Sequence, residues 1–181
     1  MYLEKIATGK NPPENINVVI EVPMGNSPIK YEFDKDSGAI FVDRIVHTAM
    51  FYPANYGFVP NTLGGDGDPL DVLVICQYPF VPGAVIACRP VGVLIMEDES
   101  GEDEKIIAVP VSKVFPFYDS VKEYSDLPEI LLQQISHFFE HYKDLEKGKW
   151  VKVKGFKDCK AAKEIITDGI SRAESAKSKA A

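Results

Sequence analysis

Hydrophobic periodicity changes once along this chain, near residue 125, and that change constrains the fold more than any other feature. Before it, short β-branched or alternating runs read as strands near Asn17–Val22, Lys30–Phe33, Ala39–Arg44, Asp71–Tyr78, Val85–Ala87, Val91–Asp98 and Lys105–Val111. One more, Trp150–Lys154, comes later. The 13 prolines and 13 glycines concentrate before residue 120, as strands joined by turns require. After residue 125, Leu127, Leu131, Ile135, Phe138, Tyr142 and Leu145 recur at steps of three or four, which is one helix face. Asp126 and Glu129 read as a capping box at its start, and Lys147 and Gly148 as its end. A weaker helix follows Asp158 through AAKEIITDGI, and Ser171–Ala181 reads as a frayed polar tail. Many strands, one strong helix and one trailing helix predict a mainly β (α+β) chain: a small β-barrel with helices packed outside it. At 181 residues this is one domain, 1–181, able to bury a core without staples.

The charge balance narrows the function. Lys and Arg number 20 against 27 Asp and Glu, a formal −7, which argues against a dedicated nucleic-acid binder. A phosphate ligand remains compatible if metal ions supply local positive charge. Cys76, Cys88 and Cys159 are odd in number and form no CxxC, and two of them lie in apolar runs. That usage fits buried thiols in a reducing cytoplasm rather than a disulfide framework. No secretory leader and no membrane-spanning run is evident, so the expected location is cytoplasmic.

The most informative segment is Gly64-Gly65-Asp66-Gly67-Asp68-Pro69-Leu70-Asp71, which feeds into the strand VLVIC. Three carboxylates within six residues repel one another unless a cation joins them. A hard divalent cation with oxygen ligands is the simplest reason to tolerate them, and an exposed acidic turn is the bland alternative. An EF-hand starting at Asp66 fails at Leu70 and Gln77, and a glycine-rich β-helix repeat fails at Pro69. A second acidic cluster, Glu97 to Glu104, lies between two strands and reads alone as a solvated hairpin tip. Charged residues also interrupt strands: Glu21, Lys30 with Glu32 on one sheet face, and Arg44. Carboxylates to hold metals and Lys or Arg to hold phosphate oxygens are what phosphoryl chemistry needs. Tyr142 on the helix stripe fits core packing and ligand contact equally. His137 and His141 stand four apart, a metal-binding spacing without an evident third ligand, which fits an interface better.

With these residues assembled, the sequence resembles the soluble family I inorganic pyrophosphatases of the short bacterial and archaeal type. The resemblance rests on DGDPLDV at Asp66–Val72, supported by YEFDKDSGAIFVDR, FYPANYGFVP, DESGEDEK and the HFFEHYKDLE helix. It implies a closed five-stranded barrel of the OB type with flanking helices. It also implies magnesium-dependent (Mg2+) hydrolysis of pyrophosphate to two phosphates by metal-activated water, without a covalent intermediate. Carried over by position, Asp66, Asp71 and Asp103 hold the tightest metal. Asp71 bridges to a second metal, with Glu21 reached through water. Asp98 and Glu32 serve metals arriving with substrate, and Asp68 is general base on the attacking water. Lys30, Arg44, Tyr56, Lys105, Tyr142 and Lys143 contact the phosphates, with Tyr52 and Glu99 in support. A homo-oligomer, a hexamer, is also implied, and the His137/His141 pair on the exposed side of its helix is expected near an interface. Two other functions fit parts of the pattern: a metal-dependent hydrolase of nucleotide or polyphosphate anhydrides, and a non-catalytic OB-type module for single strands. The second wants aromatics in a basic groove, which an acidic chain does not offer.

Overall fold

The computed structural model describes residues 5–25, 28–34 and 37–180. Residues 35 and 36 of the YEFDKDSGAIFVDR motif, and 181 at the end of the expected tail, lie outside them. The strands are β1 (Ile16–Val22), β2 (Ile29–Phe33), β3 (Ile40–Ile45), β4 (Asn55–Phe58), β5 (Asp71–Val74), β6 (Val85–Asp98), β7 (Gly101–Pro110) and β8 (Val151–Lys157). Two α-helices, α1 (Glu129–His141) and α2 (Cys159–Ala180), follow β7 and β8.

Five strands close into a ring in the order β1-β4-β5-β7-β6, because β6 pairs with β1 through Ile16–Val19 as well as with β7. All ring pairings are antiparallel except β5 with β7. Strand β8 extends the sheet beside the far half of β6, and β2 and β3 form a separate hairpin. The small barrel with outside helices that the sequence pattern predicts is thus a closed five-stranded ring, as the family resemblance implies.

The apolar runs are nearly continuous because both faces of the ring strands are covered. Val72, Val74, Ile106 and Ala108 pack in one cluster with Ala162 and Ile166 of α2. Their alternates Leu73, Ile107 and Val109 pack in another with Ile135, Phe138 and Phe139 of α1. A half-exposed strand alternates, whereas a strand covered on both faces does not.

Several boundaries differ from the sequence expectation. The two runs Val85–Ala87 and Val91–Asp98 are one 14-residue strand, with a register shift between Pro90 and Gly92. Proline lacks the N–H a ladder needs, so a bulge is where a strand accommodates it. Strand β4 has no alternating apolar signature; Gly57 at its centre lies so close to β1 that a Cβ would stand 1.9 Å from the Val19 carbonyl oxygen. Helix α1 begins after Pro128, and Asp126 closes a capping box with Glu123 on the short 3-10 turn Tyr124–Asp126 instead. Leu127 precedes a proline and is extended at ψ 153°, so the helix cannot start there. The apolar stripe ends at Tyr142; Leu145 is 67% exposed, and Lys147 and Gly148 belong to the turns after the helix. Helix α2 runs on through the segment after Ser171 for which composition predicts a frayed tail. Ala173 is buried there, Arg172 Nε donates to the Leu63 carbonyl at 2.7 Å, and Lys177 Nζ donates to Asn61 Oδ1 at 2.8 Å.

Candidate active site

One cavity of about 220 Å³ opens where the ring, the β2–β3 hairpin and the end of α1 meet. Every residue that the family resemblance assigns to the site lines it, apart from Glu99. Its carboxylates are Glu21, Glu32, Asp66, Asp68, Asp71, Asp98 and Asp103, and its cations are Lys30, Arg44, Lys105 and Lys143. The tyrosines are Tyr52, Tyr56 and Tyr142, and Phe33, Phe58, Pro69 and Phe139 complete the wall.

Register explains the centre. Asp71 stands opposite Lys105 in the parallel β5–β7 pair, and Asp103 lies two residues before Lys105 on the same strand face. The Lys105 ammonium donates to Asp71 Oδ2 at 2.5 Å and to Asp103 Oδ1 at 2.6 Å. Burial pulls this lysine down, but the two carboxylates outweigh it and hold its pKa above the ordinary value. Burial raises Asp103, and the Lys105 charge only partly offsets it. Among the described residues no three His, Cys, Asp or Glu side chains converge into a ready-made metal cluster.

The loop before β5 is shaped by its own backbone. Gly64 N–H donates to the Asp68 carbonyl at 2.6 Å, Asp68 N–H donates to Asp66 Oδ1 at 3.0 Å, and Gly67 takes a φ of +92°. A left-handed φ favours glycine, so this residue sets the turn that presents Asp66 and Asp68 at the rim.

Bulges aim two further carboxylates. Glu21 sits at a register shift between Ile20 and Val22, and its Oε1 accepts the Phe33 N–H at 3.0 Å. Burial is the main cause that pushes Glu21 up to about 7, with Asp71 adding to it and the Phe33 N–H opposing. Asp43 sits at the second shift, between the Lys30↔Arg44 and Tyr31↔Val42 pairs, and pairs with Lys30 Nζ at 3.0 Å. Sequence reasoning missed Asp43, because strict alternation puts it on the face opposite Arg44; only the bulge brings it to the cations.

The turns after α1 supply the other wall. Lys143 Nζ donates to Asp98 Oδ2 at 2.8 Å and lies 3.7 Å from Glu99. Burial opposes the charged form of Asp98, but the Lys143 ammonium and the Ser100 N–H hold its pKa below the ordinary range. Glu99 lies behind the cavity, where contact with Lys149 overcomes burial and holds it down at about 2. Glu146 was also missed; it accepts from Arg44 Nη1 at 3.2 Å across 102 residues of chain. Burial lifts Tyr52, Tyr56 and Tyr142 above the ordinary phenol value, so all three remain O–H donors at neutral pH. Tyr142 settles neither way between core and site: it stacks on Phe138 and also lines the cavity.

An all-oxygen set of carboxylates is the donor chemistry of hard divalent cations. Seven carboxylates against four cations also leave the lining net negative, so a polyanionic phosphate ligand needs added positive charge there. The residues present therefore fit divalent metal ions. His137 and His141 lie elsewhere on α1, ring centroids 4.6 Å apart, with His141 Nδ1 2.8 Å from Asp144.

A closed five-stranded ring whose strand ends and adjoining turns gather carboxylates, lysines and an arginine defines a phosphate-handling, metal-fitted enzyme site. The inorganic pyrophosphatase family matches residues 18–174. An inorganic pyrophosphatase of Mesorhizobium japonicum is 62% identical over 177 residues, covering 98% of this chain and 100% of that protein. A crystal structure of an inorganic phosphatase from Anaplasma phagocytophilum superposes with a TM-score of 0.92 at 55% identity, covering 94% of this chain and 99% of the other. The inorganic pyrophosphatase of Thermus thermophilus gives 0.91 at 49% identity, covering 96% and 99%. The chain belongs to the inorganic pyrophosphatase family.

Proposed function

We propose that this enzyme hydrolyses inorganic pyrophosphate to two phosphates with magnesium, using Asp68 as general base and no covalent intermediate. Family membership supports the activity on pyrophosphate and a divalent metal. The observation that carries the rest is the cavity in which seven carboxylates face four cations.

In this reading Asp66, Asp71 and Asp103 would hold the tightest metal, Asp71 would also reach a second, with Glu21 acting through water, and Asp98 and Glu32 would take metals that enter with substrate. Bound magnesium would neutralise phosphate charge and lower the pKa of water toward ~7. Lys30, Arg44, Lys105 and Lys143 hold phosphate oxygens, and Arg44 can engage two at once. Tyr56 and Tyr142, protonated at neutral pH, donate to the same oxygens, while Tyr52 packs against Tyr56 with ring centroids 5.2 Å apart. Glu99 orients Lys143 from behind. Asp68, on the exposed rim loop, removes the proton from the attacking water. No side chain need act as nucleophile.

The reading retains an OB-type barrel, a single domain acting in the cytoplasm, and a homohexamer with His137 and His141 near an interface. His137 borders an apolar groove with Met24, Met50, Phe51 and Ile130, in which Phe51 and Ile130 are 51% and 62% exposed. Such a surface suits burial against another copy. The test of substrate is a comparison of rates on pyrophosphate, tripolyphosphate and ATP with magnesium. Pyrophosphate should be strongly preferred; equal or faster cleavage of ATP would replace this function with a broader anhydride hydrolase.

A further inference from the structure

We propose that Glu146 is a positioning residue that holds the Arg44 guanidinium at the cavity. The inference rests on the reading of Arg44 as a phosphate contact. Arg44 rises from β3, which among the described residues pairs only with β2 and is exposed along most of its length; Phe41, Val42 and Ile45 are 54%, 59% and 57% exposed. The Arg44 side chain itself is 29% exposed, so what covers and directs it lies across from the hairpin at the cavity. The carboxylate that meets it is well fixed. The Glu146 side chain is 12% exposed, its N–H donates to the Lys143 carbonyl at 2.8 Å, and its own carbonyl accepts the Lys149 N–H at 3.2 Å. Glu146 thus belongs to the same run of turns that carries Tyr142 and Lys143, and it ties the β2–β3 hairpin to that wall.

The pair is one-sided. Arg44 Nη1 meets Glu146 Oε2 at 3.2 Å, while Glu146 Oε1 and Arg44 Nε are both buried without a hydrogen-bond partner among the described residues. Asp43 Oδ2 lies 3.7 Å from Nε, too far for a hydrogen bond. A bidentate fork would commit two guanidinium donors to Glu146. A single contact through Nη1 sets the direction of the guanidinium without enclosing it in a two-pronged pair, which leaves it able to meet an anionic oxygen in the cavity it lines.

The experiment is steady-state kinetics on the magnesium-loaded enzyme for Glu146→Ala, Glu146→Gln, Arg44→Ala and the Arg44→Ala/Glu146→Ala double variant. Glu146→Ala should raise KM for pyrophosphate about tenfold, the scale of one lost charge-assisted hydrogen bond, with a smaller fall in kcat. Glu146→Gln keeps an acceptor and should fall between it and the wild type. The double variant should be no worse than Arg44→Ala, because Glu146 acts through Arg44. Unchanged KM in both Glu146 variants, or effects that multiply in the double variant, would overturn the proposal. If Glu146→Ala does not fold, Glu146→Gln alone and combined with Arg44→Ala decides by the same criteria. Arg44→Ala with full catalytic efficiency would instead overturn the role of Arg44 itself, and this inference with it.

Discussion

Replacing Glu21 by glutamine should flatten the pH dependence of stability of the metal-free protein. Glu21 is buried, and its pKa rises from the ordinary 4.5 to about 7, first through burial and then through the nearby Asp71 charge. A raised carboxyl means that the folded state binds more protons than the unfolded one between these two values. Stability therefore falls as pH rises through that window, in full above about 7 and not at all below 4.5. At roughly 1.4 kcal/mol per pH unit, the loss amounts to about 3 kcal/mol. The amide oxygen of the glutamine would still accept the Phe33 N–H that Glu21 Oε1 accepts at 3.0 Å, so the fold contact survives while the charge disappears. The assay is urea unfolding in EDTA, at one protomer concentration, from pH 4.5 to pH 8. The difference in unfolding free energy between variant and wild type should grow in favour of the variant by about 3 kcal/mol across that range. With magnesium the advantage should vanish, since the charged carboxylate then gains a cation. Parallel stability curves for the two proteins in EDTA would refute the reasoning.

Other expectations follow from the same geometry. Asp71→Asn should weaken magnesium binding and regain part of its rate at high magnesium, whereas Asp68→Asn should lower kcat by roughly 10²–10⁴-fold without rescue. Activity against magnesium concentration distinguishes them, and the opposite pattern of rescue would reverse the two roles. Gly57→Ala should destabilise on the order of 3 kcal/mol or more, because its Cβ would stand 1.9 Å from the Val19 carbonyl oxygen. Thermal unfolding checks this, and an unchanged midpoint would contradict the strand packing. Light scattering at neutral pH should show a hexamer. A 20.1 kDa species at neutral pH would refute the assembly.

Much of the architecture is legible in the residues because burial leaves a period. The strands Ile16–Val22 and Val85–Asp98 and the stripe of α1 carry strong apolar signals. Strand β4 does not: its NYGF is set by the approach of Gly57 to β1, a tertiary demand with no local pattern. The start of α1 is misread because Asp126 and Glu129 have the right spacing, yet Pro128 lies between them and excludes helix before it. In the site, DGDPLDV announces itself by crowding like charges, whereas Lys105, beside a cluster that reads alone as a solvated hairpin tip, is reached only through the family resemblance. Asp43 and Glu146 leave no such trace. One depends on a bulge that breaks alternation in β3, the other on α1 ending at His141 so that the following turns fold back toward Arg44. Both are products of a break in period, which a periodic reading cannot register.

Above all, this carboxylate-rich cavity should work on pyrophosphate only with a divalent cation in it. Phosphate release from pyrophosphate, measured after exhaustive EDTA treatment and again after magnesium is restored, tests this most directly. No release is expected in EDTA, and full recovery with magnesium. Undiminished hydrolysis in a rigorously metal-free sample would contradict it.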